Sequence, residues 1–230
     1  MFEVVILTAT SNLGEEEFDL LLPLVSVEKQ VRIRKFHLLQ DAKNCLLGDI
    51  LARSEICRFT ELENKQLEFS VNEYGKPFLI NTPNIHFNIS HAGNYVACVI
   101  GDKPIGIDIE LIKTTESIEL WTAKRFFTED EIKYIFTDKH VLRFYEIWTK
   151  KESRIKMEGK GLHIPLSSFS VFETTDNISY YKIYQDSNAI CHVCFCKEKA
   201  PNIRITDVTS FVQRIIRDCG MSAVKTYCTK

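Results

Sequence analysis

Three short β-type runs follow one another in residues 85–110 with only turns between them, and the chain then switches to helical periodicity. Residues 85–91 and 95–100 are separated by Ala92-Gly93-Asn94, and Asp102-Lys103-Pro104 leads into residues 105–110. Connections this short join antiparallel neighbours, so the runs form a meander. Residues 117–157 then read as helix, with Thr128-Glu129-Asp130-Glu131 as a capping box and Gly159-Lys160-Gly161, followed by Pro165, as the stop. Strands are expected to return at 169–172, 178–183 and 189–196, before a last helix near 210–217. Upstream, a strand at 2–7 precedes helical stretches at 15–24, 27–36 and 41–56, the last with Ala42, Leu46, Leu47, Ile50 and Leu51 at helical spacing. Residues 67–71 alternate and run into the turn Tyr74-Gly75-Lys76-Pro77. Helices followed by strands thus occur twice, which predicts an α+β chain; the repeated order hints at two similar halves, divided at 1–104 and 105–230, without establishing them.

The chain of 230 residues, 45% apolar and 26% charged, can bury one substantial core or two small ones. A net charge of -2 gives no global field for a nucleic-acid backbone, although basic residues cluster from Lys29 to Lys43, so no nucleic-acid partner is expected. The longest apolar runs, such as 20–25 and 95–100, fall far short of the roughly 20 residues that cross a bilayer. The amino terminus carries Glu3 rather than a basic segment and reads as a first strand, so a cytoplasmic location is expected. Eight cysteines without a secretory signal read as reduced, mostly buried small hydrophobes. In Cys191-His192-x-Cys194-x-Cys196, strand alternation sends Cys191 to one face and the other three to the opposite face, so a closed metal site would need a bend or further ligands.

Candidate chemistry lies in two segments. In Gly106-Ile107-Asp108-Ile109-Glu110, alternation puts both carboxylates on one face and both isoleucines on the other. The apolar pair can anchor the strand while the acidic pair presents hard oxygen ligands of the type Mg²⁺ prefers. Alone, this is also the pattern of an exposed strand face. Downstream, Trp148, Glu152 and Lys156 recur at i, i+4 and line one helix face. Glu152 can serve as a third carboxylate and Lys156 can balance phosphate charge; Glu before Lys at this spacing is equally an ordinary helix ion pair. Ser90 and His91 are adjacent on a strand and point to opposite faces, which argues against a direct Ser-His dyad. His91 is then either a phosphate-binding group or a core or turn histidine.

These segments together resemble the Sfp-like (surfactin-type) 4'-phosphopantetheinyl transferases. The resemblance is carried by SVEKQVRIRKF (26–36), DAKNCLLGD (41–49), EYGKP (73–77), FNISHAG (87–93), PIGIDIE (104–110), KRFFTEDE (124–131), WTKKESRIKMEGKGL (148–162) and PLSSFSV (165–171), in family order. It implies a pseudo-twofold pair of similar α+β halves with the site at their junction, sufficient as a monomer. The implied reaction moves the phosphopantetheine arm of coenzyme A to a serine of an apo acyl- or peptidyl-carrier protein, with Mg²⁺ (or Mn²⁺), and releases adenosine 3',5'-bisphosphate. It further implies Asp108, Glu110 and Glu152 as metal ligands and Lys156 beside the pyrophosphate, with Glu152 the candidate base, directly or through a metal-bound water. Lys29, Arg32, Lys76, Ser90, His91 and Lys156 would contact coenzyme A, His91 at the 3'-phosphate.

Arg154 stands where the family commonly has an aromatic or aliphatic residue, and two further positions depart from the pattern: Asn44 stands where an arginine is frequent and Ala92 where a serine is. They leave room for a carrier-binding module without turnover. The carboxylates by themselves also suit a metal-dependent phosphohydrolase or nucleotidyl transferase.

Overall fold

The computed structural model describes residues 2–113, 116–136, 139–173, 178–196 and 200–227. Nine strands and seven α-helices appear among them, in an α+β arrangement. Strand β1 (Phe2–Thr8) is followed by helices α1 (Glu15–Leu21), α2 (Val27–Ile33) and α3 (Leu39–Thr60). A small hairpin of β2 (Phe69–Val71) and β3 (Pro77–Leu79) precedes the expected meander, β4 (His86–Ala92), β5 (Tyr95–Gly101) and β6 (Ile105–Leu111). Helices α4 (Glu116–Phe126), α5 (Glu129–Ile135) and α6 (His140–Glu158) come next, the expected helical stretch also crossing residues 137 and 138, which lie outside the described ones. The chain ends with β7 (Ile178–Gln185), β8 (Ala189–Cys196), β9 (Asn202–Asp207) and α7 (Val208–Tyr227).

Two main sheets form, ordered β4-β5-β1-β9 and β6-β8-β7. Alternation along the strands then builds three cores. On β1 and β5, Val5, Leu7, Val96, Cys98 and Ile100 face α3, packing with its Leu46, Leu47, Ile50 and Leu51. The opposite faces of the same strands, with Val4, Ile6, Ala97 and Val99, meet Ile105, Ile107 and Ile109 of β6 and Cys191, Val193 and Phe195 of β8. A third core lies around Phe144, Ile147 and Ile155 of α6. Full burial of each such aliphatic or aromatic side chain contributes about 1.5–3 kcal/mol, so β6 is fixed between layers by its isoleucines and its other face is free to carry polar groups.

The segment 169–172 is not a strand. A 3-10 turn, Leu166–Ser168, precedes it, and its backbone groups find side-chain partners instead of a ladder: Lys151 Nζ donates to the carbonyls of Leu166 and Phe169, both at 2.6 Å, and Val171 N donates to Glu131 Oε1 at 2.8 Å. Conversely, β9 was not among the expected strands. It runs parallel to β1, Glu3 opposite Asn202 through Thr8 opposite Asp207, and Phe211, Val212 and Ile215 of α7 join the core under α3. The end of the chain therefore packs on the first half, across the division at 104/105.

In Cys191-His192-x-Cys194, Cys191 enters the inter-sheet core while His192 turns to α6, its Nδ1 2.8 Å from Thr149 Oγ1. Among the described residues, no group of three or more His, Cys, Asp or Glu is assembled to hold a metal, nor is any helix long and apolar enough to cross a membrane.

Candidate active site at the junction of β4, β6 and α6

Strands β4 and β6 meet where the two sheets adjoin, and polar side chains bridge them. Asn88 Oδ1 accepts from Ile107 N at 2.9 Å and Ser90 Oγ accepts from Ile109 N at 3.3 Å. Helix α6 crosses the same face of β6 at close range. A Cβ at Gly106 would stand 2.0 Å from the Ser153 carbonyl oxygen and 2.4 Å from Met157 N, so only glycine permits this approach. The approach brings Asp108 and Glu110, two and four residues on, under Trp148, Glu152 and Lys156.

The contacts confirm the face expected from i, i+4 spacing. Lys156 Nζ donates to Asp108 Oδ1 at 2.6 Å and to Ser90 Oγ at 2.9 Å, and Ser90 Oγ in turn donates to Asp108 Oδ1 at 3.0 Å. Trp148 Nε1 donates to Glu110 Oε1 at 3.3 Å. Asp108 is 3% exposed, and its second oxygen, Oδ2, is buried without a hydrogen-bond partner.

Burial raises the proton affinity of all three carboxylates, and the Asp108 charge adds to it for Glu110 and Glu152. Burial pushes Asp108 up against the pull of Lys156 and Ser90. Burial and the Asp108 charge push Glu110 up, opposed by the Trp148 hydrogen bond. Burial, with Asp108 and more weakly Glu110 against Lys156, lifts Glu152 to about 7. Burial disfavours the charge on Lys156, yet Asp108, Glu152 and Glu110 outweigh it and hold the amine above its usual value. One ammonium thus serves three carboxylates. The orphaned, buried Asp108 Oδ2 is the kind of oxygen a hard divalent cation takes, although the three carboxylates are not gathered into a ready ligand group in this structure.

The anion side of the site is basic. Lys29 on α2 is held by Asp49 of α3 at 3.2 Å, and Ser26 Oγ caps α2 by accepting from Lys29 N at 3.3 Å. His91, solvent-accessible near the end of β4 but partly desolvated by the residues around it, is kept below the usual imidazole value by that desolvation and by Lys156 and Lys29, with Asp41 opposing. Cys45 feels both Lys29 and Arg32, which places Arg32 in the same neighbourhood. Lys29 and Lys156 both lie near His91, Lys29 and Arg32 both lie near Cys45, and Ser90 bonds Lys156, so these five form one chain of neighbours leading to the carboxylates. Lys76 is placed differently: its Nζ donates to the carbonyls of Lys156 at 2.6 Å and Met157 at 3.1 Å, closing the last turn of α6. Burial lowers that amine to about 8.

A family model described as 4'-phosphopantetheinyl transferase, N-terminal, matches residues 12–102, and one described as 4'-phosphopantetheinyl transferase superfamily matches residues 104–210. The chain is 42% identical over 184 residues to 4'-phosphopantetheinyl transferase Sfp of Bacillus subtilis, spanning 79% of this chain and 80% of that protein. The chain belongs to the 4'-phosphopantetheinyl transferase superfamily. The transferase gsp of Aneurinibacillus migulanus is 36% identical over 79% of this chain and 76% of its own length. A mouse relative, L-aminoadipate-semialdehyde dehydrogenase-phosphopantetheinyl transferase, is 28% identical over 74% of this chain and 60% of its own length.

For a phosphopantetheinyl transferase of this kind, sequence reasoning about single residues missed two parts of the site. Asn88 went unnoticed, although it and Ser90 are buried polar residues alternating with Phe87 and Ile89 on β4, the pattern of a strand face that must satisfy a neighbour's backbone. The Trp148 hydrogen bond to Glu110 was hidden because spacing places a residue on a face without saying what lies opposite.

Proposed function

We propose that this transferase moves the 4'-phosphopantetheine arm of coenzyme A to a serine hydroxyl of an apo acyl- or peptidyl-carrier protein, depends on Mg²⁺, and releases adenosine 3',5'-bisphosphate. The observation that carries this reading is the buried Asp108 Oδ2 left unpartnered, with Glu110 and Glu152 near enough to feel the Asp108 charge and Lys156 beside them. Asp108, Glu110 and Glu152 would hold the cation, with Mn²⁺ a substitute. When bound, it supplies neutralisation of charge on the pyrophosphate and on the departing bisphosphate.

The chain's own residues have separable tasks. Lys156 meets the pyrophosphate with its ammonium, which the surrounding carboxylates keep charged. Lys29, Arg32 and His91 receive the phosphates at the adenosine end, His91 at the 3'-phosphate. Ser90 orients Lys156 and Asp108 from β4, and Lys76 fixes the last turn of α6 on which Lys156 sits. The carrier hydroxyl must lose its proton as it attacks, and Glu152, poised at about 7, is the group to take it. An open cavity of about 430 Å³ lined by Arg125, Phe126, Trp148, Glu152, Ile164 and Leu166 gives Glu152 an approach from solvent. Family membership and the position of Glu152 at this opening both support a carrier serine as acceptor.

The test incubates the purified protein with coenzyme A, Mg²⁺ and an apo carrier domain, one from fatty-acid synthesis and one from a peptide synthetase, and weighs the carriers. A mass gain of one phosphopantetheine arm is expected, and its loss when the divalent cation is chelated. Unmodified carriers of both kinds defeat the proposal.

A further inference from the structure

Asn44 is 2% exposed within the apolar packing of α3, and its amide has three partners, one on its own helix and two from other segments. Its Oδ1 accepts from Thr10 Oγ1 at 2.8 Å and from Gln40 Nε2 at 3.0 Å, and its Nδ2 donates to the Gly93 carbonyl at 2.8 Å. Gln40 Nε2 makes a longer contact to the same carbonyl, 3.3 Å, and Thr10 N donates to the Asn94 carbonyl at 3.2 Å. All of this converges on the β4–β5 turn. Gly93 has φ +52°, and a Cβ there would stand 2.7 Å from Leu111 Cδ1, so the turn is also wedged against the end of β6.

Two residues before Gly93 is His91. Among the described residues its side chain has no hydrogen bond to α6 or β6, so its position follows from the end of the β4–β5 ladder, where it stands opposite Val96 beside the turn. The same helix holds the other side of the basic pocket, because Asp49 pairs with Lys29 at 3.2 Å. Helix α3 is thus the common reference for both: Lys29 through Asp49, His91 through Asn44 and Gly93.

We propose that Asn44 is a positioning residue for the coenzyme A pocket, holding the β4–β5 turn through the Gly93 carbonyl so that His91 stays in register with Lys29 and Arg32. The inference rests on the transferase reading above and adds that the affinity for coenzyme A, rather than turnover or carrier recognition, is what Asn44 sets. The residue acts through the turn and does not itself touch phosphate.

Asn44→Asp keeps the size of the side chain and the acceptor for Thr10 but removes the donor to Gly93. The KM for coenzyme A is expected to rise about fivefold to tenfold, the worth of one net hydrogen bond, while kcat and the KM for the apo carrier stay close to wild type. Calorimetric affinity for coenzyme A falls in parallel. Should that variant fail to fold, Gln40→Met, which removes the second donor to the same carbonyl from a half-buried position, carries the test with a rise of about twofold. An unchanged coenzyme A affinity in the folded variants, or a kcat that falls with melting temperature while KM stays put, overturns the inference. A wild-type protein that neither binds coenzyme A nor modifies a carrier defeats the transferase reading and takes this inference with it.

Discussion

Helix α6 carries two lysine–carboxylate pairs five residues apart, and they behave as opposites. Lys151 and Glu131 are each 0% exposed and 2.9 Å apart. Every oxygen and donor there is occupied: Glu131 also accepts from Thr128 N and Val171 N, and Lys151 also donates to two backbone carbonyls. Lys156 and Asp108 are closer still, 2.6 Å, yet one oxygen of Asp108 is orphaned and two more carboxylates press on the same ammonium. The first pair is complete and ties α5 and the 166–171 segment to α6. The second is incomplete, and what it lacks is positive charge. Completeness of partners, not burial or distance, separates the structural pair from the functional one.

The sharpest way to break this contrast is to neutralise one member of the incomplete set. Glu152→Gln keeps the shape and removes a ligand and base; transfer to the carrier should fall by about 10²–10⁴ with the melting temperature nearly unchanged. Transfer at wild-type rate, read by carrier mass, ends the assignment. The complete pair should respond in the other currency. Glu131→Gln leaves Lys151 buried without its counter-charge and is expected to cost about 3–5 kcal/mol of stability by urea unfolding, whereas Glu131→Gln with Lys151→Met loses less than the single change. The surviving folded protein should still modify carrier; if its turnover collapses instead, the pair is not merely structural.

Periodicity made much of this legible. The strand–turn–strand meander, the i, i+4 face of Trp148, Glu152 and Lys156, and the shared face of Asp108 and Glu110 are local patterns, and local geometry obeys them. What escaped was non-local. Residues 169–172 look like a strand, but nothing in their own sequence announces that Lys151 and Glu131 will satisfy their backbone. Residues 202–207 place only Ile203 and Ile205 as alternating apolar residues, too short a run to announce a strand by itself, and their pairing depends on β1 at the far end of the chain. For the same reason Lys76 and Asn44 could be noticed by motif, while the carbonyls they hold could not.

Gly106 marks where the two pairs acquire their common scaffold, and a single methyl group there probes it. Gly106→Ala must push Ser153 and Met157 backbone atoms away, since the added carbon would sit 2.0 Å from one and 2.4 Å from the other. Lifting α6 off β6 is expected to cost about 1–3 kcal/mol and to weaken transfer, because Lys156 and Glu152 move away from Asp108 together. The Lys151–Glu131 pair, further along α6 and anchored to α5, should hold. Thermal unfolding beside carrier modification tests this: a stability loss with undiminished turnover shows that the site does not depend on the close approach.

The smallest effect is a matter of sign, and it again sets a closed contact against the open site. His192, buried against Thr149, is held down to about 3 by burial, with Lys150 adding to the shift and Glu146 opposing it. Its unfolded value is the usual 6.5, so below that pH the unfolded chain takes up a proton the folded one refuses. Its contribution is therefore whole above pH 6.5 and is lost as pH falls toward 3. Glu152 runs the other way. Raised from 4.5 to about 7, it penalises the fold progressively as pH rises through that interval, and divalent cation relieves the penalty. Denaturation midpoints in chelator between about pH 5 and about pH 7.5 should thus shift upward in alkaline buffer for Glu152→Gln relative to wild type. For His192→Asn the gain over wild type appears instead at the acid end. If both variants moved at the same end of the range, burial could not be what shifts these two groups, since it penalises a carboxylate as pH rises and an imidazole as pH falls.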